Sequence, residues 1–414
     1  MADIVQNDEV LRLLDELTTM TGREDPYPRY ARLREISPIV RAQDGALVVT
    51  GYGDCQTVVR DGRLAHMPPD MLAFVGFPDW RARPALMQLF TSMLTLNPPD
   101  HTRLRRLVSS AFTARRVVAL RPAVERVVGE LLDAMALKAA DGAVDFVAEF
   151  AFPLPIAIIG ELLGVPAADR AGLQGLVNDW TQVLEVLTPE VLEKADPAAA
   201  QIREYLAGLL AERRKEPRDD LLSALAQAQA ADDRLTDDEV LSNAALLFAA
   251  GFETTTNLLA NGLVALLDRP GALAAAGQRP EPAVEELLRY DSPVQLVSRV
   301  VVEDVEVAGR TVEAGERIVA YLGAGNRDPE RFDAPDELRL DRENNAPLSF
   351  GGGIHYCLGA PLARLEAHVA FPALAARFPH LALGEGVRRR DSLSLKGFTA
   401  LPVQLGSAVS SSRR

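Results

Sequence analysis

Residues 349–366 read SFGGGIHYCLGAPLARLE, from Ser349 to Glu366. Three consecutive glycines, Gly351 to Gly353, permit backbone angles and close approach that a side chain forbids. Cys357 then stands where an apolar helical run begins, with Leu358, Leu362, Ala363, Leu365 and Ala367. A cysteine at a helix N-terminus meets the positive end of the dipole and amide donors, which favour thiolate over thiol. A thiolate beside a glycine-flattened loop suits a metal or a planar cofactor that must come close to the backbone. A buried structural cysteine is the competing reading of the same residue.

The surrounding chain narrows the choice. Its 414 residues carry 44 Lys+Arg against 58 Asp+Glu, a formal charge of -14. That excess of acid disfavours nucleic acid and anionic membrane as partners. A hydrophobic fraction of 48% with 25% charged residues excludes wholesale disorder. Two cysteines cannot form a disulfide framework, so a reducing, cytoplasmic setting is expected. The N-terminus carries Asp3, Asp8, Glu9, Asp15 and Glu16 among its apolar positions. It lacks both the pattern of a signal peptide and the roughly 18 uninterrupted apolar residues of a membrane span.

Most segments have helical periodicity: residues 7–20, 30–36, and a run from Asp100 to about Leu267 broken near prolines and glycines. Thr236-Asp-Asp-Glu239 is a capping-box start, and no proline follows until Pro270. The resulting helix of about 32 residues would be near ~48 Å long. Strand character is confined to 39–40, 46–50, 296–302, 305–307, 317–322 and 393–405. Residues 61–99 lack clear periodicity but are rich in Phe, Trp, Gly and Pro, a pattern of function rather than disorder. A mainly α fold with a small β region follows, as one domain over 1–406 with a disordered tail at 407–414.

The quoted stretch resembles the haem-binding signature of the cytochrome P450 family, Phe-Gly-x-Gly-x-x-x-Cys-x-Gly. Phe350, Gly351, Gly353, Cys357 and Gly359 fill its fixed positions. The resemblance implies that Cys357 is the axial thiolate of haem b iron, with haem between the long central helix and the Cys-headed helix. Cys55 has no such context and reads as packing. Glu286-Leu-Leu-Arg289 matches the family's Glu-x-x-Arg, whose third member is an arginine before the haem loop. Two arginines compete for that place. Pro-Glu-Arg-Phe at 329–332 suggests Arg331, whereas the register Arg327, Asp328, Pro329, Phe332, Pro335, Asp341, Arg342 selects Arg342.

The resemblance further implies that Gly251 opens a groove for O2, with Ala250 beside the haem and Glu253 and Thr254 delivering protons. His101, Arg105, Arg299 and His355 match the family's haem propionate contacts. Pocket walls in the family map to Phe74, Trp80, Met87, Phe90, Leu94, Leu246, Ala249, Leu296, Val297 and Phe398. Together these imply a haem-dependent monooxygenase that hydroxylates or epoxidises a lipophilic substrate, a macrolide or other polyketide first and a terpenoid or steroid second. A haem-thiolate catalyst of coupling or dehydration, a haem-containing sensor and a haem-free carrier of apolar ligands are the rival readings. A monomer taking electrons from a ferredoxin and its NAD(P)H-dependent reductase is expected, with Arg103, Arg106, Arg115, Arg116 and Arg364 as a basic docking patch.

Overall fold

The structure, a computed structural model, describes residues 4–406 apart from 140–141, 186 and 232–234. The 407–414 tail lies outside the described residues. The described chain gathers into two compact units: Met1–Ala65, Val124–Leu154 and Thr254–Arg414 form the first, and His66–Ala123 and Pro155–Glu253 the second.

The first unit holds the sheets. Strands Ile39–Arg41 and Leu47–Val49 pair antiparallel, with Ile39 opposite Val49. Leu47–Val49 runs parallel to Arg317–Ala320, which pairs antiparallel with Val297–Val301, and Leu64–Ala65 closes the edge. The buried face of Ile39, Leu47, Val49, Ile318 and Ala320 packs on Val58 and Val59 of the helix Tyr52–Arg60. Each such buried aliphatic side chain contributes about 1.5–3 kcal/mol of apolar burial. On the other side Val10, Leu13 and Leu17 of the helix Asp8–Thr18 cover Val40, Val48 and Tyr321.

The N-terminal helix is shorter than its periodicity predicts. It stops at Thr18, and Thr19 caps a second short helix, Met20–Glu24, by accepting from the Gly22 amide. The late strand predicted over 393–405 is also divided, into Phe398–Ala400 and Pro402–Gln404, leaving 393–397 as a turn. Residues 61–99 contain two 3-10 turns, Pro69–Val75 and Trp80–Ala82, and the helix Pro84–Phe90.

The long helix spans Asp237–Leu267. Its capping box forms: the Thr236 amide donates to Glu239 Oε2 at 2.9 Å, and the Glu239 amide donates to Thr236 Oγ1 at 3.2 Å. In the first unit the helix packs closely on the Cys-headed helix, Ala360–Arg377. A Cβ at Gly262 would fall 2.7 Å from the Phe371 ring. No single helix among the described residues is long and apolar enough to cross a membrane.

Candidate active site

Cys357 enters the helix Ala360–Arg377 through a loop whose path depends on glycine. Gly351 and Gly353 have φ of +67° and +60°, which side-chain-bearing residues rarely adopt. A Cβ on Gly353 would also lie 2.7 Å from the Val59 carbonyl oxygen, and one on Gly352 would lie 2.7 Å from Val59 Cγ2. The loop therefore rests directly on the end of the helix Tyr52–Arg60. The Cys357 amide donates to the Phe350 carbonyl at 3.0 Å, and the Cys357 carbonyl accepts from Ala360 at 3.4 Å. Cys357 is half-buried. A Cβ at Gly359 would sit 3.8 Å from its sulfur. Cys55 is wholly buried, its Sγ 3.5 Å from the Tyr321 carbonyl, and burial pushes its thiol far above the ordinary range.

Beneath this loop Glu286 and Arg289 are fully buried and paired, with Arg289 Nε and Nη2 each 2.8 Å from a Glu286 oxygen. Arg342 Nε donates to both Glu286 oxygens, at 3.2 and 3.0 Å. The Arg339 amide and Asn345 Nδ2 complete the carboxylate's shell at 2.8 and 3.0 Å. Arg331 bonds the Asn344 carbonyl instead and stacks by Tyr52 and Phe332. Ser349 Oγ ties the loop to this layer, donating to the Leu288 carbonyl at 2.7 Å.

Arg299, on the strand Val297–Val301, is 6% exposed and donates to the Ser298 carbonyl at 2.8 Å. It has no carboxylate partner among the described residues. Burial lowers its pKa to about 10, so the guanidinium is still charged at neutral pH. A buried cation with no counter-charge is costly, and a carboxylate would offset that cost. His355, in the 3-10 turn Gly353–His355, is half-buried.

In the second unit, His101 and Arg105 stand one turn apart on the helix Asp100–Ala111. His101 is 1% exposed, and burial, then the Arg105 charge, lowers its pKa, so the imidazole is held neutral. Glu253 is buried, and Thr254, the next residue of the long helix, is half-buried. Ala250 is exposed, whereas Ala249 and Leu246 are buried.

The remaining residues singled out in the sequence take the following places. A Cβ at Gly251 would lie 2.7 Å from Ile159 Cγ1, so this glycine lets the helix Pro153–Leu163 approach closely. Phe74 is 87% exposed, whereas Leu72 of the same 3-10 turn is buried. Phe398 is buried under the Arg389 guanidinium, 4.3 Å from the ring centroid, and acts in packing. Leu296 and Val297 are partly buried against the two core clusters. Trp80 and Phe90 are buried against each other, ring centroids 6.0 Å apart, with Met87 and Leu94 half-buried. The basic patch is largely spent: Arg103 pairs with Glu239, Arg116 with Asp219 and Arg364 with Glu285.

Glu366, the last residue of the 349–366 stretch, has a role that its sequence did not single out. Its side chain is 1% exposed, and neither oxygen has a hydrogen-bond partner among the described residues. Burial raises its pKa well above the ordinary carboxylate value. The signal was present: Glu366 falls among Leu362, Leu365 and Val369 on an apolar helix, where an acid is out of place.

The residues fit haem. A half-buried cysteine enters a helix through a glycine loop seated on backbone, and Arg299 is a buried cation lacking a carboxylate. The arrangement defines a haem-thiolate protein, and comparison with known proteins agrees. The sequence profile of the family described as Cytochrome P450 matches residues 169–278 and 281–405. The chain is 41% identical over 399 residues to 6-deoxyerythronolide B hydroxylase of Saccharopolyspora erythraea, covering 92% of this chain and 96% of that one. It is 37% identical over 395 residues to the polyketide biosynthesis cytochrome P450 PksS of Bacillus subtilis, covering 92% and 96%. Among solved structures, P450BioI in complex with hexadec-9Z-enoic acid ligated acyl carrier protein matches at 34% identity and a TM-score of 0.85, covering 93% of this chain and 99% of that one. The chain belongs to the cytochrome P450 family, and it is a haem-thiolate monooxygenase of secondary metabolism that uses O2, a lipophilic substrate and redox partners.

Proposed function

We propose that the protein hydroxylates or epoxidises a polyketide-type secondary metabolite, with haem b ligated by Cys357. The observation that carries this reading is the glycine-seated cysteine loop together with the uncompensated Arg299; the substrate class rests on the relatives named for polyketides. When bound, haem supplies the activation of O2 and the oxidation itself.

The chain's own residues bind, orient and move protons. The fork of Arg299 and the donor groups of His101, Arg105 and His355 would hold the haem carboxylates, with arginine suited to two oxygens at once. Gly351 and Gly353 would let the backbone come close to the cofactor, and Cys357 is held in register by the Phe350 carbonyl. Glu253 and Thr254 are consecutive on a helix, so their carboxyl and hydroxyl would hold and pass on a proton. Glu286, Arg289 and Arg342 fix the segment that leads into the cysteine loop.

Electrons would come from a ferredoxin with its NAD(P)H-dependent reductase, and the protein would work as a cytoplasmic monomer. The pairing of Arg103, Arg116 and Arg364 with acids weakens the case for a broad basic docking patch. The test is reconstitution with ferredoxin, reductase and NADPH against a panel of macrolides, linear polyketides, terpenoids and steroids. Oxygenated product from polyketides alone is the expected result; turnover of steroids alone would overturn the substrate class.

A further inference from the structure

In the first unit a cleft lies between the start of the chain and its last strands. Leu17, Met20, Arg23 and Pro26 line it from the N-terminal segment, and Arg389, Arg390 and Leu393 from the strand Arg388–Arg389 and the residues after it. None of its lining residues belongs to the sets assigned above to haem, proton delivery or substrate. Two features fix the C-terminal side. The register against Phe398–Ala400 shifts between Arg388 and Arg389, an irregularity that re-aims side chains. Gly397, also in the lining, packs so closely on the long helix that a Cβ there would overlap Asn257 Oδ1.

The cleft is cationic, and one of its cations is unmatched. Lys396 donates to both Asp291 oxygens, at 2.7 and 2.9 Å, and Arg23 pairs with Asp391. Arg389 lies over the Phe398 ring, 4.3 Å from its centroid, and its buried Nη1 has no acceptor among the described residues. The buried Nε of Arg23 has none either. Glu24, the acid in the lining, is exposed and pairs with neither arginine. A buried donor without an acceptor is costly, and an oxyanion is the partner that best fits the edge of a guanidinium. Size narrows the class. The cleft encloses about 20 Å³, room for one oxygen-sized group. The rest of a ligand would lie at its mouth, where Met20 is 39% exposed and Leu393 half-buried. Methionine adapts to apolar chains of varied shape.

We propose that this cleft binds an organic monocarboxylate. Arg389 Nη1 and Arg23 Nε receive the carboxylate, and a short apolar chain runs over Met20 and Leu393. The site is separate from the oxygenation reading and does not depend on it.

Hexanoate is the probe, added to the full-length holoprotein at neutral pH. Calorimetry gives its affinity, amide hydrogen exchange locates it, and the Soret band reports any entry to the haem pocket. Hexanoate should bind one to one, protect residues 17–26 and 388–397 and leave the Soret band unmoved. Hexan-1-ol, with the same chain and no charge, should not protect them. Arg389→Gln should weaken hexanoate about tenfold, and Arg389→Lys, which keeps the charge but loses the fork, by less. Met20→Ser, at an exposed position that folding tolerates, should weaken it about threefold. Four results would each overturn the site: no protection of the two segments in wild type, equal affinity in the Arg389 and Met20 variants, hexan-1-ol binding as tightly as hexanoate, or inorganic phosphate doing so. A Soret shift with protection elsewhere would place the probe in the haem pocket and overturn it as well.

Discussion

Arg342 donates through one nitrogen to both oxygens of Glu286, although 56 positions separate them. Its other two nitrogens hold the carbonyls of Asp333, Ala334 and Glu337. The buried carboxylate thus fastens the segment before the haem loop to the helix Pro280–Tyr290. Arg342→Ala should leave Glu286 short of one charge partner and cost about 3–5 kcal/mol. The expected outcome is insoluble protein or protein without haem. Arg331→Ala, away from Glu286, should purify with normal haem content, and the reverse pattern would refute the assignment.

The two cysteines should separate cleanly in a spectrum. The reduced, CO-bound protein should absorb near ~450 nm, because thiolate donates strongly to the iron. Cys357→His should move that band toward ~420 nm. Cys55→Ser should leave it in place and cost only local packing.

Thr254→Ala and Glu253→Gln should alter the fate of electrons rather than ligand binding. NADPH consumption should continue while product per NADPH falls by a factor on the order of ten or more, with hydrogen peroxide accounting for the difference. Product yield equal to wild type in both variants would sink the proton relay.

Arg299→Gln offers a split between two measurements. Removing a buried cation without a counter-charge should leave the apoprotein as stable as wild type or more so. A charge-assisted contact of about 1.5–3 kcal/mol to a haem carboxylate would be lost. Transfer of haem to apomyoglobin should therefore quicken by about ten- to a hundredfold.

Glu366 predicts a pH dependence. Its folded pKa is raised, so its contribution is fully present below the ordinary carboxylate value and is lost as pH rises toward the folded value. Across that window stability should fall by up to ~1.36 kcal/mol per pH unit from this group. Glu366→Gln keeps the shape and removes the titration. Thermal midpoints of wild type and variant should match near pH 4.5 and diverge in the variant's favour as pH rises; parallel curves would show that the carboxyl is already ionised.

Much of this was legible in the sequence because it rests on local chemistry. The Phe350–Gly359 loop, the capping box at Thr236 and the Glu286–Arg289 spacing each combine residue type with short separation. The register around Asp328 and Phe332 was enough to choose between Arg342 and Arg331. What escaped was set by distant partners. Nothing near Gly251 announces Ile159, and nothing near Gly397 announces Asn257. The exposure of Phe74 and the burial of Phe398 reflect which neighbour reached them first, not their own hydrophobicity. Charges misled most, since Arg103, Arg116 and Arg364 of the expected patch pair with acids far along the chain, Glu239, Asp219 and Glu285.

The cysteine loop lies on the carbonyl of Val59, roughly three hundred residues earlier in the chain. On the ribosome the residues of the seat are therefore made long before their occupant. Closing so wide a loop is slow and entropically expensive compared with local helix formation. Capture of the prosthetic group is thus confined to the end of synthesis, since a nascent chain arrested before Cys357 has no thiolate to offer.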